Sequence, residues 1–234
     1  MSRENPNVRQ TDNPGETLDD AEKIIMARLR GAGSRDNPEL IARQLADLPT
    51  TDAAAGSGDV VDRFRERLIS SGASVAIASD RREAVLEISR FVSARHAQRR
   101  VVTGHDARLA ALPWRDGGLL PRFGSATDGD AVAVSWAMDG IAETGSVVLW
   151  LDRRNPALNN LLPDDQVILV ERERIQARLE DLWHHDELHT GRGPRGVMMI
   201  SGPSSTADIG LHLVKGAHGP RALHVIIVGE PAGE

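Results

Sequence analysis

The chain has 234 residues, 40% of them apolar, and a formal net charge of −6. That length is enough for one large domain, or a domain plus a tail, with a sizeable core, and the acidic balance argues against a nucleic-acid-binding surface. There is no cysteine, which excludes disulfides, thiolate zinc sites, cysteine nucleophiles and thiolate-held iron–sulfur clusters within these residues. Tyrosine is also absent and only three Phe and four Trp occur, so the core must be mainly Val, Ile, Leu and Ala. No apolar run reaches the length of a membrane span. Residues 1–16 are polar, so no signal peptide is expected and the cytoplasm is the expected compartment.

Residues 1–57 read as a flexible tail, a helix and a linker. The tail is rich in Asn, Pro, Asp and Gly. The helix runs over 17–30, capped by Thr17, with Leu18, Ala21, Ile25 and Leu29 on one face. A short helix is possible over 38–47. The compact domain is expected over 58–234. It opens with a helix carrying Val61, Phe64 and Leu68 and stopped by Gly72. A strand over 74–78 follows, then a helix begun by the capping-box pair Asp80 and Glu83, with Val85, Ile88 and Val92 inward. Val101 and Val102 mark another strand. Residues 113–130 form a long Gly/Pro/Asp connection. Apolar runs over 131–137 and 147–151 flank Asp139-Gly140, a turn signal. A helix near 156–162, a strand over 166–170 and a helix over 175–183 come next. A strand over 197–200, a helix over 207–214 and a last strand over 223–228 complete the pattern. Alternating strands and helices predict an α/β fold with a mainly parallel sheet covered by helices.

Two motif-like patterns point elsewhere on inspection. Gly191, Gly193 and Gly196 spell G-x-G-x-x-G, but the pattern precedes a strand and contains Pro194, unlike a dinucleotide fingerprint. His184, His185 and His189 cluster, but Asp186 stands where a zinc-protease motif needs Glu, and a helix end suits histidine. There is no P-loop and no G-x-S-x-G elbow.

Three segments could carry chemistry. In the first, Asp139 to Ser146, Gly145 permits a turn or a close ligand approach. Thr144, Ser146 and neighbouring N–H groups could bind an oxygen, with Glu143 placed as acid, base or nucleophile. The competing reading is a hairpin with an exposed glutamate. In the second, Ser201, Gly202, Ser204, Ser205, Thr206 and Asp208 follow a strand and precede the expected helix, the arrangement of an anion site at a helix N-terminus. Ser205 or Thr206 could instead serve as the cap. In the third, Lys215 and His218 could hold a carboxylate or phosphate if the sheet brings them near the second segment.

These segments resemble the lactate-utilisation protein C family, which carries the LUD domain. The strings are DGIAETGSVVLW (139–150), LLPDDQVILVERERI (161–175) and ISGPSSTADIGLHLVKGAHGPRALHVIIV (200–228), with VDRFRERLISSGASVAIAS (61–79) also fitting. The resemblance covers roughly residues 58–229. It implies a three-layer αβα sandwich related to sugar-phosphate isomerases and CoA transferases, with an N-terminal helical extension. It implies a part in oxidising L-lactate to pyruvate beside two iron–sulfur partner proteins, which carry the clusters; no cofactor is expected within this chain and no membrane span. By analogy with CoA transferases, Glu143 is the position to compare with their nucleophile. The alternatives are a free-standing enzyme on a phosphosugar or CoA-type ligand using Glu143, and a non-catalytic scaffold or regulatory module.

Overall fold

A computed structural model describes residues 23–28, 59–184, 194–209, 212–216 and 218–230. The chain divides into two compact units, Met1–Ala53 and Ala54–Glu234. In the first, residues 23–28 are helical, inside the helix expected over 17–30. The expected tail, linker and short helix at 38–47 lie outside the described residues, as do His185, His189, Gly191 and Gly193.

The second unit begins with helix α1 (Val60–Ser70), capped by the Asp59 carboxylate, which accepts the Val61 N–H at 2.7 Å. Strand β1 (Ser74–Ala78), helix α2 (Arg81–Arg95), strand β2 (Arg100–Thr103) and helix α3 (Ala107–Ala110) follow. Asp80 accepts the Glu83 N–H at 2.7 Å, and Glu83 reaches back to the Ser79 N–H at 2.7 Å. This reciprocal cap fixes the start of α2. The expected loop over 113–130 contains a 3-10 turn (Trp114–Gly117) and strand β3 (Leu120–Phe123). Pro121 is tolerated because β3 pairs on one side only, at a sheet edge. Then come β4 (Val132–Trp136), β5 (Asp139–Ile141), β6 (Ser146–Leu151), a 3-10 turn (Ala157–Asn160), β7 (Asp165–Glu171), β8 (Ile175–Gln176), β9 (Gly196–Ile200), β10 (Ser205–Ile209), β11 (His212–Lys215) and β12 (Ala222–Val228).

Six strands form one sheet in the order β1-β12-β7-β4-β2-β3, every pair parallel. Its central strands are apolar runs because both faces are covered. Val167 and Leu169 of β7, with Ile226 of β12, pack toward α2 and α3; Ile168 and Val170, with Val225 and Ile227, pack the other way. That second face meets α1 through Phe64 and Leu68, and β6 through Val147 and Leu149. The three layers are therefore helices, parallel sheet, and a third layer in which one helix is joined by a four-stranded sheet, β8-β5-β6-β9.

Two expected helices are strands. Over 175–183 the chain instead forms β8, with Ile175 bridging Gly140, and a 3-10 turn at Glu180–His184. Ile141, Val148 and Leu182 make a small core there, so apolar spacing that resembles a helical stripe serves a short strand and a 3-10 turn. Over 207–214 lies the antiparallel pair β10–β11, with Ser205 opposite Lys215 and Thr206 opposite Val214. Thr206, Ile209 and Val214 are β-branched and suit that state.

Candidate functional site

The turn between β5 and β6 comes one step later than Asp139-Gly140, which are strand residues. Ile141 pairs with Ser146, and the Gly145 N–H donates to the Ile141 carbonyl at 2.9 Å. Gly145 has φ +64, and a Cβ there would stand 2.5 Å from Arg67 Cβ and 2.9 Å from the Leu68 nitrogen. The turn is pressed onto the last turn of α1, and glycine is demanded by both conformation and space. Glu143 is exposed. Its N–H donates to the Ala177 carbonyl, and its carboxylate accepts the Leu179 N–H at 3.2 Å. The glutamate thus ties the hairpin to the segment after β8.

The loop after β9 seats on the same helix end. A Cβ on Gly202 would fall 2.7 Å from the Ser71 carbonyl oxygen. The Ser146 hydroxyl, 1% exposed, lies 2.7 Å from Thr144 Oγ1 and 2.6 Å from Ser201 Oγ. A chain of three hydroxyls therefore joins the two segments singled out in the sequence. β9 belongs to the second sheet, antiparallel to β6, and no helix follows. The helix dipole expected to face an anion at Ser204 to Asp208 is absent for that reason. The Ser204 N–H is bonded to the Pro220 carbonyl at 2.8 Å, and the Ser204 carbonyl takes the Gly216 N–H at 3.0 Å. Ser205 begins β10 and is exposed. The side chains of Thr206, Asp208 and Lys215 lie outside the described residues.

Ser201, Gly202, Ser204 and His218 do come together, around a cavity of about 300 Å³. Its lining includes Gln166 and Leu223, each the second residue of its strand, Met198 and Ile200 of β9, and Asn160. Glu143 and Thr144 are not among its lining residues. Gln166 is fully buried. Its Nε2 donates to Asn160 Oδ1 at 2.5 Å, while its Oε1 has no hydrogen-bond partner. Asn160 Oδ1 also receives the Ser135 hydroxyl at 3.0 Å, and Asn155 Oδ1 stands 3.2 Å from that hydroxyl. Asn159 accepts the Ala126 N–H at 2.6 Å and donates to the Gly124 carbonyl at 3.0 Å. Sequence reading passed over these amides. Their trace is the run Asn155-Pro-Ala-Leu-Asn159-Asn160 followed by Gln166, a concentration of amides between apolar strands.

Two further groups mark the amino edge of the sheet. Asp165, 1% exposed, is gripped by Arg95 through Nε at 2.5 Å and Nη2 at 3.0 Å, and by His96 at 2.7 Å. Burial pushes its carboxyl up, but these hydrogen bonds and charges outweigh it and hold the group below the usual carboxylate range. His224, 7% exposed, stacks on Phe91 with ring centroids 4.8 Å apart. Burial lowers its pKa to about 4, against the opposing hydrogen bond to Ser74. Its Nδ1 meets Ser74 Oγ at 2.8 Å and its Nε2 has no partner.

This fold and these segments define a class. Residues 129–228 match the model of the LUD domain, and a DUF162 family protein from Deinococcus radiodurans has the same fold, with a TM-score of 0.53 and 19% identity over 73% of this chain and 96% of that one. The chain is thus similar to LUD-domain proteins over 129–228, and its relatives include proteins named lactate utilization protein C. It is 30% identical to the lactate utilization protein C of Oceanobacillus iheyensis over 42% of this chain and 43% of that protein. It is 26% identical to that of Anoxybacillus flavithermus over 85% of this chain and 83% of that protein. The match to several curated relatives spans about two fifths of their length. Among the described residues no helix is long and apolar enough to cross a membrane, and no group of three or more His, Cys, Asp or Glu side chains is placed to hold a metal ion.

Proposed function

We propose that this chain is the cluster-free subunit of a cytoplasmic system that oxidises L-lactate to pyruvate together with two iron–sulfur partner proteins. The observation that carries the reading is the LUD-domain match over 129–228, set beside relatives named lactate utilization protein C. The oxidation releases two electrons and two protons per lactate. The 234 residues offer no thiolate to hold a cluster, so those electrons pass to groups carried by the partners. The alternative, a free-standing enzyme built on Glu143, has its carboxylate exposed and outside the lining of the cavity.

The test is genetic and biochemical. Deleting the gene in its native host is expected to abolish growth on L-lactate while leaving growth on pyruvate, with rescue by the intact gene. The tagged protein is expected to co-purify with two iron–sulfur proteins. Normal growth of the deletion strain on lactate, or purification without cluster-bearing proteins, contradicts the proposal.

A further inference from the structure

We infer that a second cavity, where β6 and β9 end together, binds an amphiphilic anion: an oxyanion head on an apolar body. The inference stands apart from the proposed function and from its ligand. Leu151 pairs with Gly196, and the Arg195 N–H donates to the Leu151 carbonyl at 3.1 Å. Beyond that pair the two strands part and leave a hollow of about 610 Å³, with Arg153 on one side and Arg195 on the other. Asp152 shapes the first side. Its carboxylate accepts the Arg154 N–H at 2.7 Å and the Asn155 N–H at 3.3 Å, a side-chain turn that fixes the backbone. Gly104, just past β2, seats the same loop: a Cβ there would overlap the Arg154 carbonyl and stand 3.0 Å from Pro156 Cδ. Pro156 also lines the hollow. The site therefore rests on the carboxyl edge of the parallel sheet, where open α/β sheets place ligands.

The charges set the head group. Asp152 is the only acid of the described lining, and it is taken by Arg154 through Nε at 2.8 Å and Nη2 at 2.6 Å. Arg153 and Arg195 are exposed, and neither guanidinium has a hydrogen-bond or ion-pair partner among the described residues. Two accessible positive charges are left over, each a planar fork that matches a carboxylate or phosphate. The wall sets the rest. Leu151, Pro156 and Ala157 are apolar, and a mainly apolar hollow of this size with a few charged groups is the usual form of a small-molecule site. A neutral apolar ligand leaves both forks unmet. A bare inorganic ion leaves the wall wet. An acid with a short hydrocarbon body meets both.

Titration calorimetry on the full chain tests this, with octanoate, octyl phosphate, octyl glucoside and inorganic phosphate, each below its micelle concentration. Octanoate or octyl phosphate is expected to bind at least about tenfold more tightly than octyl glucoside and inorganic phosphate, the ratio set by charge-assisted hydrogen bonds. The tighter of the two identifies the head group. Raising the salt is expected to weaken both anions and leave the glucoside unchanged. Arg153→Gln and Arg195→Gln are each expected to weaken the preferred anion by about threefold or more, with melting temperatures close to that of the unaltered protein because both side chains are exposed. No binding of either octyl anion at millimolar concentrations, equal affinity for the anions and octyl glucoside, or arginine variants that bind like the unaltered protein would each overturn the site. None of these results bears on growth on L-lactate, so the site and the proposed function fail separately.

Discussion

The turn at Ala142–Gly145 and the cavity over Gln166 sit on either side of the hydroxyl chain Thr144–Ser146–Ser201, yet they are built for opposite ends. In the turn the noted backbone groups are paired, and the exposed Glu143 carboxylate accepts one further bond. The Gly145 and Glu143 N–H groups go to carbonyls, the Glu143 carboxylate caps the Leu179 N–H, and the missing Cβ of Gly145 admits the end of α1. Beneath the cavity, the fully buried Gln166 amide has its nitrogen on Asn160 and its oxygen without a partner. An acid beside a glycine looks chemical in a sequence, but here the glycine serves the packing of the turn on α1. His224 extends the comparison. It lies next to Leu223 on the opposite face, buried and with Nε2 unmet, but stacked on Phe91 instead of facing the cavity.

The contrast predicts a graded series. Gly145→Ala forces a left-handed conformation and a clash with Arg67, and is expected to cost about 3–4 kcal/mol of stability by urea denaturation; a loss under about 1 kcal/mol would show that the turn is not a packed joint. His224 comes next. Its folded pKa of about 4 lies below its ordinary 6.5, so the unfolded chain takes up the proton first. Its contribution is complete above pH 6.5 and is lost as the pH falls toward 4, amounting to about 3 kcal/mol. Denaturation curves at the two ends of that window should show the loss, and His224→Phe should flatten it. Asp165 adds a loss of the same sign at lower pH, because a depressed carboxyl stabilises above its unfolded pKa and releases that stability below it.

Gln166→Leu has a smaller effect on the unliganded fold. It removes an unmet acceptor along with one bond to Asn160, and a net change within about 1 kcal/mol is expected in a thermal melt; a large loss would make the amide a structural element. The smallest effect belongs to Glu143→Gln. The substitution weakens one exposed cap on Leu179, worth about 0.5 kcal/mol, and growth on lactate should not change. A collapse of growth with intact folding would restore Glu143 as a chemical residue.

The parallel sheet was legible because β7 and β12 are covered on both faces, which leaves unbroken apolar runs in the sequence. α1 was legible through the spacing of Val61, Phe64 and Leu68 and the stop at Gly72, and α2 through the pair Asp80 and Glu83. The second sheet was not. β8 is two residues long and exists because Ile175 bridges Gly140, a partner 35 positions away, so local periodicity could not reveal it. The β10–β11 pair escaped for a related reason, since Ile209 and Val214 fit either period until the opposite strand is known. Of the candidate residues read from the sequence, Ser201, Gly202, Ser204 and His218 share a cavity. Gln166 could not be read, because within a strand sequence a buried amide looks like any polar residue, and its meaning lies in which of its two ends is satisfied.

The most direct test of the account is growth of a strain lacking the gene, with and without the intact gene restored. The account predicts no growth on L-lactate without the gene, recovery on complementation, and unchanged growth on pyruvate. Normal growth of the deletion strain on L-lactate would contradict the account.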